Sequence, residues 1–374
     1  HDFCFPFYLF NFFNKSSTLS LMKKKIAILG STGSIGLTTL NIISRNKDSF
    51  QVDLLSTNQN IRKLKKQIKI FNVKNVIIHD LKKFNENKLF FNKAKINIFK
   101  NIKDFKKQYR SKLDYVMSSI IGLNGLEPTL DIISKTKRIA IANKESIICG
   151  WNLIAKELKK NNTKFIPIDS EHFSIFELIK NEKINNIKKI YITASGGPFL
   201  NTNISKSNKF IPKNAIKHPT WKMGKKISVD SSTLINKVFE LIEAKKIFNL
   251  KYDKFEIVIE PTSYVHGIVE FNNGISKILT HPTSMEIPIY NSLLFNEKIY
   301  SLSNKFDINK MNNLNFQKID QKKFPVFKLL KHLNNIDSLF ETVLVTANDV
   351  LVDLFLRKKI LFYDIYEILN KILS

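Results

Sequence analysis

Residues 26–29, Ile-Ala-Ile-Leu, open without a spacer into Gly30-Ser31-Thr32-Gly33-Ser34-Ile35-Gly36, and the apolar spacing over 37–43 then fits a helix. A strand that enters a glycine turn and leaves as a helix starts a parallel sheet, because a crossover is needed to bring the next strand alongside. Gly30 permits the tight turn, Gly33 lets backbone amides approach a pyrophosphate, and Gly36 lets the helix pack close to the strand. N–H groups at the start of the helix, which have no partner within it, then hold the anion. The glycines are spaced three and three, where the commoner dinucleotide pattern is two and three, so an ordinary tight βα turn is the competing reading.

Residues 52–56, 75–79, 115–118 and 138–142 read as further strands, with a turn from Gly122 to Gly125 and a helix after Pro128. This alternation predicts a doubly wound α/β sheet with helices on both faces. The strand over 52–56 ends without an Asp or Glu to hold a ribose 2′-hydroxyl. Asn58, Gln59, Asn60, Arg62 and Lys63 follow, a polar and basic set that favours NADP(H) over NAD(H). The strand over 138–142 runs into Asn143-Lys144-Glu145-Ser146, where ligands bind in such sheets; a helix N-cap with a solvated lysine is the simpler alternative.

A short apolar run, Phe165 to Ile168, next delivers Asp169-Ser170-Glu171-His172. If the chain stays extended there, Asp169 and Glu171 point to one side with roughly 6–7 Å between their α-carbons. Two carboxylates so placed call for a cation, and hard oxygen ligands suit Mg²⁺ or Mn²⁺. The plainer expectation is a solvated turn capping a helix over 172–180.

Residues 190–194 read as a strand before Ser195-Gly196-Gly197-Pro198-Phe199, where two glycines and a hydroxyl could cradle a phosphate. The polar stretch 201–217 leads to His218-Pro219-Thr220-Trp221-Lys222-Met223-Gly224, which reads as a lid or as a surface loop anchored by its Trp. With a helix beginning near Ser232, Asn236, Glu240 and Glu243 share one face beside Lys237, and Ser231 precedes them. That face is either a salt-bridged surface or the completion of the site begun at Asp169. Residues 255–259 and 267–271 read as antiparallel strands, with an Asn272-Asn273-Gly274 turn feeding 275–279. The stretch 316–327 is poorly patterned, and the helical remainder, Ala347-Asn348-Asp349 included, demands no chemistry of its own.

At 374 residues the chain has room for two or three domains. Its net charge of +28 would suggest nucleic acid, but the lysines are scattered and form no basic groove with spaced aromatics. The charge should attract an anionic, phosphorylated substrate. Cys4 and Cys149 are too few for a disulfide framework, and no apolar run approaches the roughly 20 residues of a membrane span. Residues 1–21 are rich in Phe, and Met22 followed by three lysines reads as a natural start, so 1–21 is set aside as a leader.

Taken together and in order, these motifs resemble the 1-deoxy-D-xylulose 5-phosphate reductoisomerase family from about Lys23 onward. The resemblance implies a homodimeric enzyme of non-mevalonate isoprenoid synthesis that rearranges 1-deoxy-D-xylulose 5-phosphate and reduces it with NADPH, using Mg²⁺ or Mn²⁺. Asp169, Glu171 and Glu240 would hold the metal. Ser195, Ser231, Asn236 and Lys237 would bind the phosphate and hydroxyls, joined by Ser170, Lys144 and His218, while Trp221 closes over the substrate. Gly30, Thr32, Gly33, Ser34, Ile35, Asn58, Gln59, Asn60, Asn143, Glu145 and Gly224 would line NADPH. Departures from the family pattern are Asn58-Gln59 in place of a Gly and a basic residue, Val238 in place of Gly, Glu260 in place of His, and Asp349 in place of Glu.

The expected architecture is a Rossmann-like NADPH domain over 22–167, an α+β catalytic and dimerisation domain over 168–295, a linker over 296–315 and a helical domain over 316–374. Neither a nucleic acid nor a membrane is an expected partner. The expected compartment is a bacterial-type cytoplasm, or a plastid stroma if the leader is a targeting remnant. The rival activity is an NADP-dependent dehydrogenase that reduces a phosphorylated substrate without rearranging it.

Overall fold

The computed structural model describes residues 22–203, 209–221, 223–294, 302, 306–336 and 338–374. The leader, Lys222, and residues 296–301 and 303–305 of the expected linker lie outside the described residues. Seven strands form one parallel sheet: β1 (Lys24–Leu29), β2 (Phe50–Thr57), β3 (Asn75–Ile78), β4 (Asn97–Phe99), β5 (Tyr115–Ser118), β6 (Arg138–Ile141) and β7 (Lys164–Pro167). Their order, β4-β3-β2-β1-β5-β6-β7, reverses direction between β1 and β5, which opens a crevice at the carboxyl ends of those two strands.

Continuous apolar strands suit a sheet covered on both faces, and side chains divide between the faces with period two. Ile26 and Ile28 join one core with Tyr115 and Met117; Ala27 and Leu29 join the opposite core with Val116, Ile139 and Ile141. The helices begin where the residue types allow. Asn60, Asp80, Asn101 and Asn143 each accept a backbone N–H three residues on, capping the helices Ile61–Phe71, Leu81–Lys93, Ile102–Gln108 and Lys144–Asn161. Pro128 lies inside the helix Leu126–Ile133, in its first turn, so that helix starts earlier than expected.

The second sheet contains β8 (Ile187–Ala194), β9 (Phe255–Ile259), β10 (Val265–Phe271) and β11 (Ser276–Thr280) in the order β11-β10-β8-β9. The Asn272-Asn273-Gly274 hairpin forms between β10 and β11 with Gly274 at φ +83°. The expected antiparallel pairing of 255–259 with 267–271 does not: β8 lies between them and pairs parallel with β9. Sequence neighbours invite a hairpin reading, whereas the helices between β8 and β9 supply the crossover that a parallel pair needs.

The stretch 316–327 is no loose connector. Gln317 bridges to Ile259, and Phe324, Val326 and Phe327 are buried in the core that the second sheet shares with the helices Ile235–Phe248, Phe340–Leu356 and Asp364–Leu373. The helix Glu286–Leu293 packs back onto the first sheet, where Tyr115 Oη lies 2.7 Å from Ser292 Oγ.

Candidate functional site

A cavity of about 800 Å³ lies where the carboxyl ends of the first sheet meet the helices Lys225–Thr233 and Ile235–Phe248. Asp169, Ser170, Glu171, Lys144, Asn143, Glu145, Ser195, His218, Trp221, Ser231, Asn236, Lys237, Glu240, Gly224, Gly33, Ser34 and Ile35 all line it. Gly30, Thr32, Asn58, Gln59 and Asn60 do not; they lie further along the sheet edge, at and beyond the ends of β1 and β2.

Asp169 and Glu171 converge, but not through extended geometry. β7 stops at Pro167; Asp169 caps the helix Ser170–Ile179 by accepting the Glu171 N–H at 3.3 Å, and Glu171 lies in its first turn. The capping reading of the backbone is therefore the right one, yet the cap is not solvated, because Ser170, Glu171 and His172 are buried. A helix N-terminus also favours the two negative charges placed on it. Ligand oxygens of Asp169, Glu171 and Glu240 lie within 4.8 Å of one another.

Glu240 arrives from a different direction. The helix expected near Ser232 is two helices broken at Leu234, whose φ of +63° is costly for a branched side chain. The break lets Ser231 at the end of one helix and Asn236, Lys237 and Glu240 at the start of the next face the same cavity. Residues 235–244 are all buried, which rules out the salt-bridged surface reading.

Two ammonium groups sit among the acids. Lys144 Nζ is 2.6 Å from Asp169 Oδ2, 3.2 Å from Glu240 Oε1 and 3.3 Å from Glu243 Oε2. Lys237 Nζ is 2.5 Å from Glu171 Oε1 and 2.7 Å from Glu240 Oε2. Burial works to discharge both lysines, but the facing carboxylates outweigh it and hold each above its ordinary pKa. Burial raises Glu240, and the neighbouring Glu171 charge adds to it. It also pushes Glu243 up to about 7, against the pull of Lys144 and His172. Asp169 goes the other way: burial opposes it, yet Lys144, His172 and Lys237 keep its carboxyl well below the usual range.

This donor set fits a divalent cation. Four carboxylates, Asp169, Glu171, Glu240 and Glu243, face two ammonium groups, which leaves an excess of two negative charges when all are ionised. The Asn236 amide donates to Glu240, while its Oδ1 is buried without a hydrogen-bond partner, an acceptor open to a hydroxyl from outside the protein.

Gly196 and Gly197 follow the cavity residue Ser195 at φ +83° and +66°. A Cβ on Gly197 would lie 2.5 Å from the Ser231 carbonyl oxygen, so only glycine lets the Ser195 turn approach the Ser231 helix this closely. His218 Nδ1 accepts the backbone N–H groups of Thr220 and Trp221 at 3.2 and 2.9 Å, which places its proton on Nε2, donating to Ser195 Oγ at 3.0 Å. Burial, with the Lys237 charge behind it, lowers His218 to about 4 and keeps the ring neutral at pH 7. Trp221, half-buried, meets His266 edge to face at 6.1 Å.

The glycine turn suits a dinucleotide. Gly30 has φ +80°, and a Cβ on Gly36 would lie 2.6 Å from the Gly30 carbonyl oxygen, so turn and helix touch. Thr32 Oγ1 meets Thr57 Oγ1 at 2.9 Å, tying the turn to the end of β2.

Sequence reasoning missed several residues. Ser119, Ile120 and Ile121 line the cavity directly after β5, and the rule that ligands sit beyond strand carboxyl ends could have found them. Thr283, Ser284 and Met285 also line it, with no local signal. The helix Phe340–Leu356 does take part: Asn348 donates to Asp230 Oδ1 at 2.8 Å, and Asp349 is 2.7 Å from Lys226 Nζ, which also holds the cavity residue Glu145 at 2.7 Å. Glu260 is fully buried and ties its own turn, accepting from Thr262 and Tyr264 N–H groups; Val238 is a core residue.

Residues 26–150 match the family 1-deoxy-D-xylulose 5-phosphate reductoisomerase, 165–248 the C-terminal domain of that enzyme, and 281–374 a second description, DXP reductoisomerase C-terminal domain. A 1-deoxy-D-xylulose 5-phosphate reductoisomerase from Pelagibacter ubique is 56% identical over 351 residues, 93% of this chain and 90% of the relative. One from Wolbachia of Drosophila simulans is 41% identical over 353 residues, 93% and 89% of the two chains. The solved reductoisomerase from Zymomonas mobilis in complex with NADPH superposes at a TM-score of 0.84 with 33% identity, covering 94% of this chain and 91% of that one. A DOX-P reductoisomerase in complex with NADPH, fosmidomycin and magnesium gives 0.85 and 32%, covering 94% and 89%.

Proposed function

The chain belongs to the 1-deoxy-D-xylulose 5-phosphate reductoisomerase family, and from that premise we infer the reaction and the residues that perform it. It is an NADPH- and divalent-metal-dependent enzyme that rearranges and reduces 1-deoxy-D-xylulose 5-phosphate to 2-C-methyl-D-erythritol 4-phosphate in non-mevalonate isoprenoid precursor synthesis. The observation that carries this reading is the meeting of three carboxylates, two serines and the end of the glycine turn, Gly33 to Ile35, in one cavity.

Asp169, Glu171 and Glu240 would hold the cation, and Gly30, Thr32, Gly33, Ser34, Ile35, Asn58, Gln59, Asn60, Asn143, Glu145 and Gly224 would hold NADPH. When bound, the cation polarises the substrate's carbonyl and hydroxyl oxygens, and NADPH supplies the hydride that reduces the rearranged aldehyde. Ser195 and Ser231, brought together by Gly197, would bind the phosphate, with Lys237 as the charged partner in reach. His218, neutral with its proton on Nε2, fixes the Ser195 hydroxyl, and the Asn236 Oδ1 would accept a substrate hydroxyl. Ser170 and Lys144 complete the substrate side beside the metal ligands. A preorganised site of this kind stabilises developing negative charge without reorganisation.

The domain roles are part of the same proposal: NADPH binding over 22–167, catalysis over 168–295, a linker over 296–315 and a helical domain over 316–374. A homodimer is supported by the edge strand β11, where Ile275 and Ile278, beside and within it, are 54% and 46% exposed. Among the described residues no helix is long and apolar enough to cross a membrane; a bacterial-type cytoplasm is proposed from the company of relatives such as those of Pelagibacter and Wolbachia.

The direct test is NADPH oxidation at 340 nm with 1-deoxy-D-xylulose 5-phosphate, run with Mg²⁺ and with excess chelator. Oxidation is expected to need the metal; turnover surviving in chelator would favour a dehydrogenase that does not rearrange its substrate. Trp221→Ala is expected to raise the substrate's Michaelis constant about tenfold, the loss of roughly 1.4 kcal/mol of apolar cover. If only the thermal midpoint moved, Trp221 would be a packing residue and not part of a closing wall.

A further inference from the structure

Ion pairs behind Glu145 reach a part of the chain that the cofactor assignment above does not use. Glu145, buried in the first turn of the helix Lys144–Asn161, lines the cavity. Lys226, in the first turn of the helix Lys225–Thr233, places its Nζ 2.7 Å from Glu145 Oε1. The same ammonium lies 2.7 Å from Asp349 Oδ1 and 3.7 Å from Asp230 Oδ2. Burial works to discharge Lys226, but Asp230, Glu145 and Asp349 outweigh it and hold it above its ordinary pKa, so it is an ammonium at neutral pH. Asp349 belongs to the helix Phe340–Leu356, which is fixed independently of this charge. Its residues Leu344, Val345, Leu351 and Val352 share a core with Ile148 and Val229 of the other two helices, and Asn348, fully buried, donates to Asp230 Oδ1 at 2.8 Å. Val345 also lines the cavity; Asn348 and Asp349 do not. Asp349 meets the cavity residue Glu145 through Lys226.

We propose that Lys226 is a positioning residue for the cofactor: it ties Glu145 to Asp349 and so makes the C-terminal helical region part of the NADPH site. A glutamate side chain is long and flexible, and fixing it before the ligand arrives removes an ordering cost from binding. Lys226 engages Oε1 and leaves Oε2 to accept from the cofactor. The ammonium also offsets a carboxylate charge that would otherwise repel a ligand carrying phosphates. Asp349 and Asp230 in turn hold the ammonium from the side away from Glu145, so its place is set by two helices and not by its own flexible stem. The inference rests on the assignment of Glu145 to NADPH above, and adds the residues that act through it.

The test is calorimetric titration of the full chain with NADPH, without substrate, together with steady-state kinetics. Lys226→Met is expected to weaken NADPH about tenfold and to raise its Michaelis constant by the same factor, while turnover at saturation and the Michaelis constant for 1-deoxy-D-xylulose 5-phosphate stay within about twofold. Lys226→Arg keeps the charge and has donors for both carboxylates, and is expected to stay within about threefold of the natural chain. In a Glu145→Ala background, Lys226→Met is expected to cost nothing further, because the group it positions is already gone. Asp349→Asn, outside the cavity, is expected to weaken NADPH about threefold in the natural chain and not at all in Glu145→Ala. Equal losses in the two backgrounds would overturn the proposal, since Lys226 would then meet the cofactor itself. Unchanged NADPH affinity in Lys226→Met with a lowered thermal midpoint would overturn it too, leaving a structural role only. If Lys226→Met does not fold, Asp349→Asn decides, and unchanged affinity there overturns the proposal. A natural chain that binds no NADPH removes the cofactor assignment as well; binding that is lost in Glu145→Ala but ignores Lys226 and Asp349 leaves that assignment standing and removes only the role of Lys226.

Discussion

Glu240→Gln is expected to lower turnover by about a hundred- to a thousandfold while leaving NADPH affinity nearly unchanged. Glu240 is buried on the helix after the Leu234 break, and its two oxygens are shared between Lys144 at 3.2 Å and Lys237 at 2.7 Å. Gln keeps the shape and one acceptor but gives up the charge, so the carboxylate group loses a member and the cation binds more weakly to what remains. The glycine turn at Gly30 to Gly36 does not contact Glu240 through any of these bonds, and so NADPH titration is the internal control for folding. Raising Mg²⁺ or Mn²⁺ should recover part of the lost rate if weaker binding is the cause. Near-normal turnover at ordinary metal concentration would remove Glu240 from the metal site.

The first sheet was largely legible because its signals are local. Ile26 to Leu29 is an apolar, buried strand, and Gly30, Gly33 and Gly36 mark the turn after it, with Gly36 close against Gly30. β4 was not legible, since Asn97-Ile98-Phe99 becomes a strand by pairing with β3 and carries no pattern of its own. The parallel partnership of β8 and β9 is likewise a property of the whole layer. In the site, residue types announced themselves where charge is hard to bury: Asp169, Glu171, Lys237 and Glu240 have no structural reason to cluster in an apolar setting. How they converge was hidden. The cap at Asp169 and the left-handed Leu234 both replace the regular geometry from which spacing arguments proceed. Asn348 and Asp349 were passed over for a related reason, since their partners Asp230 and Lys226 lie more than a hundred residues away in sequence.

Lys237→Met should lower the thermal midpoint of the metal-free protein by about 10 °C, the equivalent of roughly 3–5 kcal/mol, and by clearly less when Mg²⁺ is present. Removing the ammonium leaves the Glu171 carboxylate and one oxygen of Glu240 buried without the charge now 2.5 and 2.7 Å away. Met fills the volume, so the cost is electrostatic and not a cavity. The pH dependence fixes the sign. Burial and the Glu171 charge already raise Glu240 in the natural protein, and losing Lys237 raises it further. A carboxyl whose folded pKa is raised keeps its full stability below the unfolded pKa of about 4.3 and loses stability as pH climbs through the folded value. The deficit of the variant is therefore largest at neutral and alkaline pH and shrinks on acidification. A cation bound by the same carboxylates stands in for the missing ammonium and stabilises the folded state in proportion to its concentration over its dissociation constant. Thermal scans with and without Mg²⁺ at pH 5 and pH 8 read both effects. A deficit that ignores metal and pH alike would mean that Lys237 is a packing residue and that the cation binds elsewhere; one that closes on adding Mg²⁺ would tie the buried ammonium and the metal to the same two carboxylates, Glu171 and Glu240.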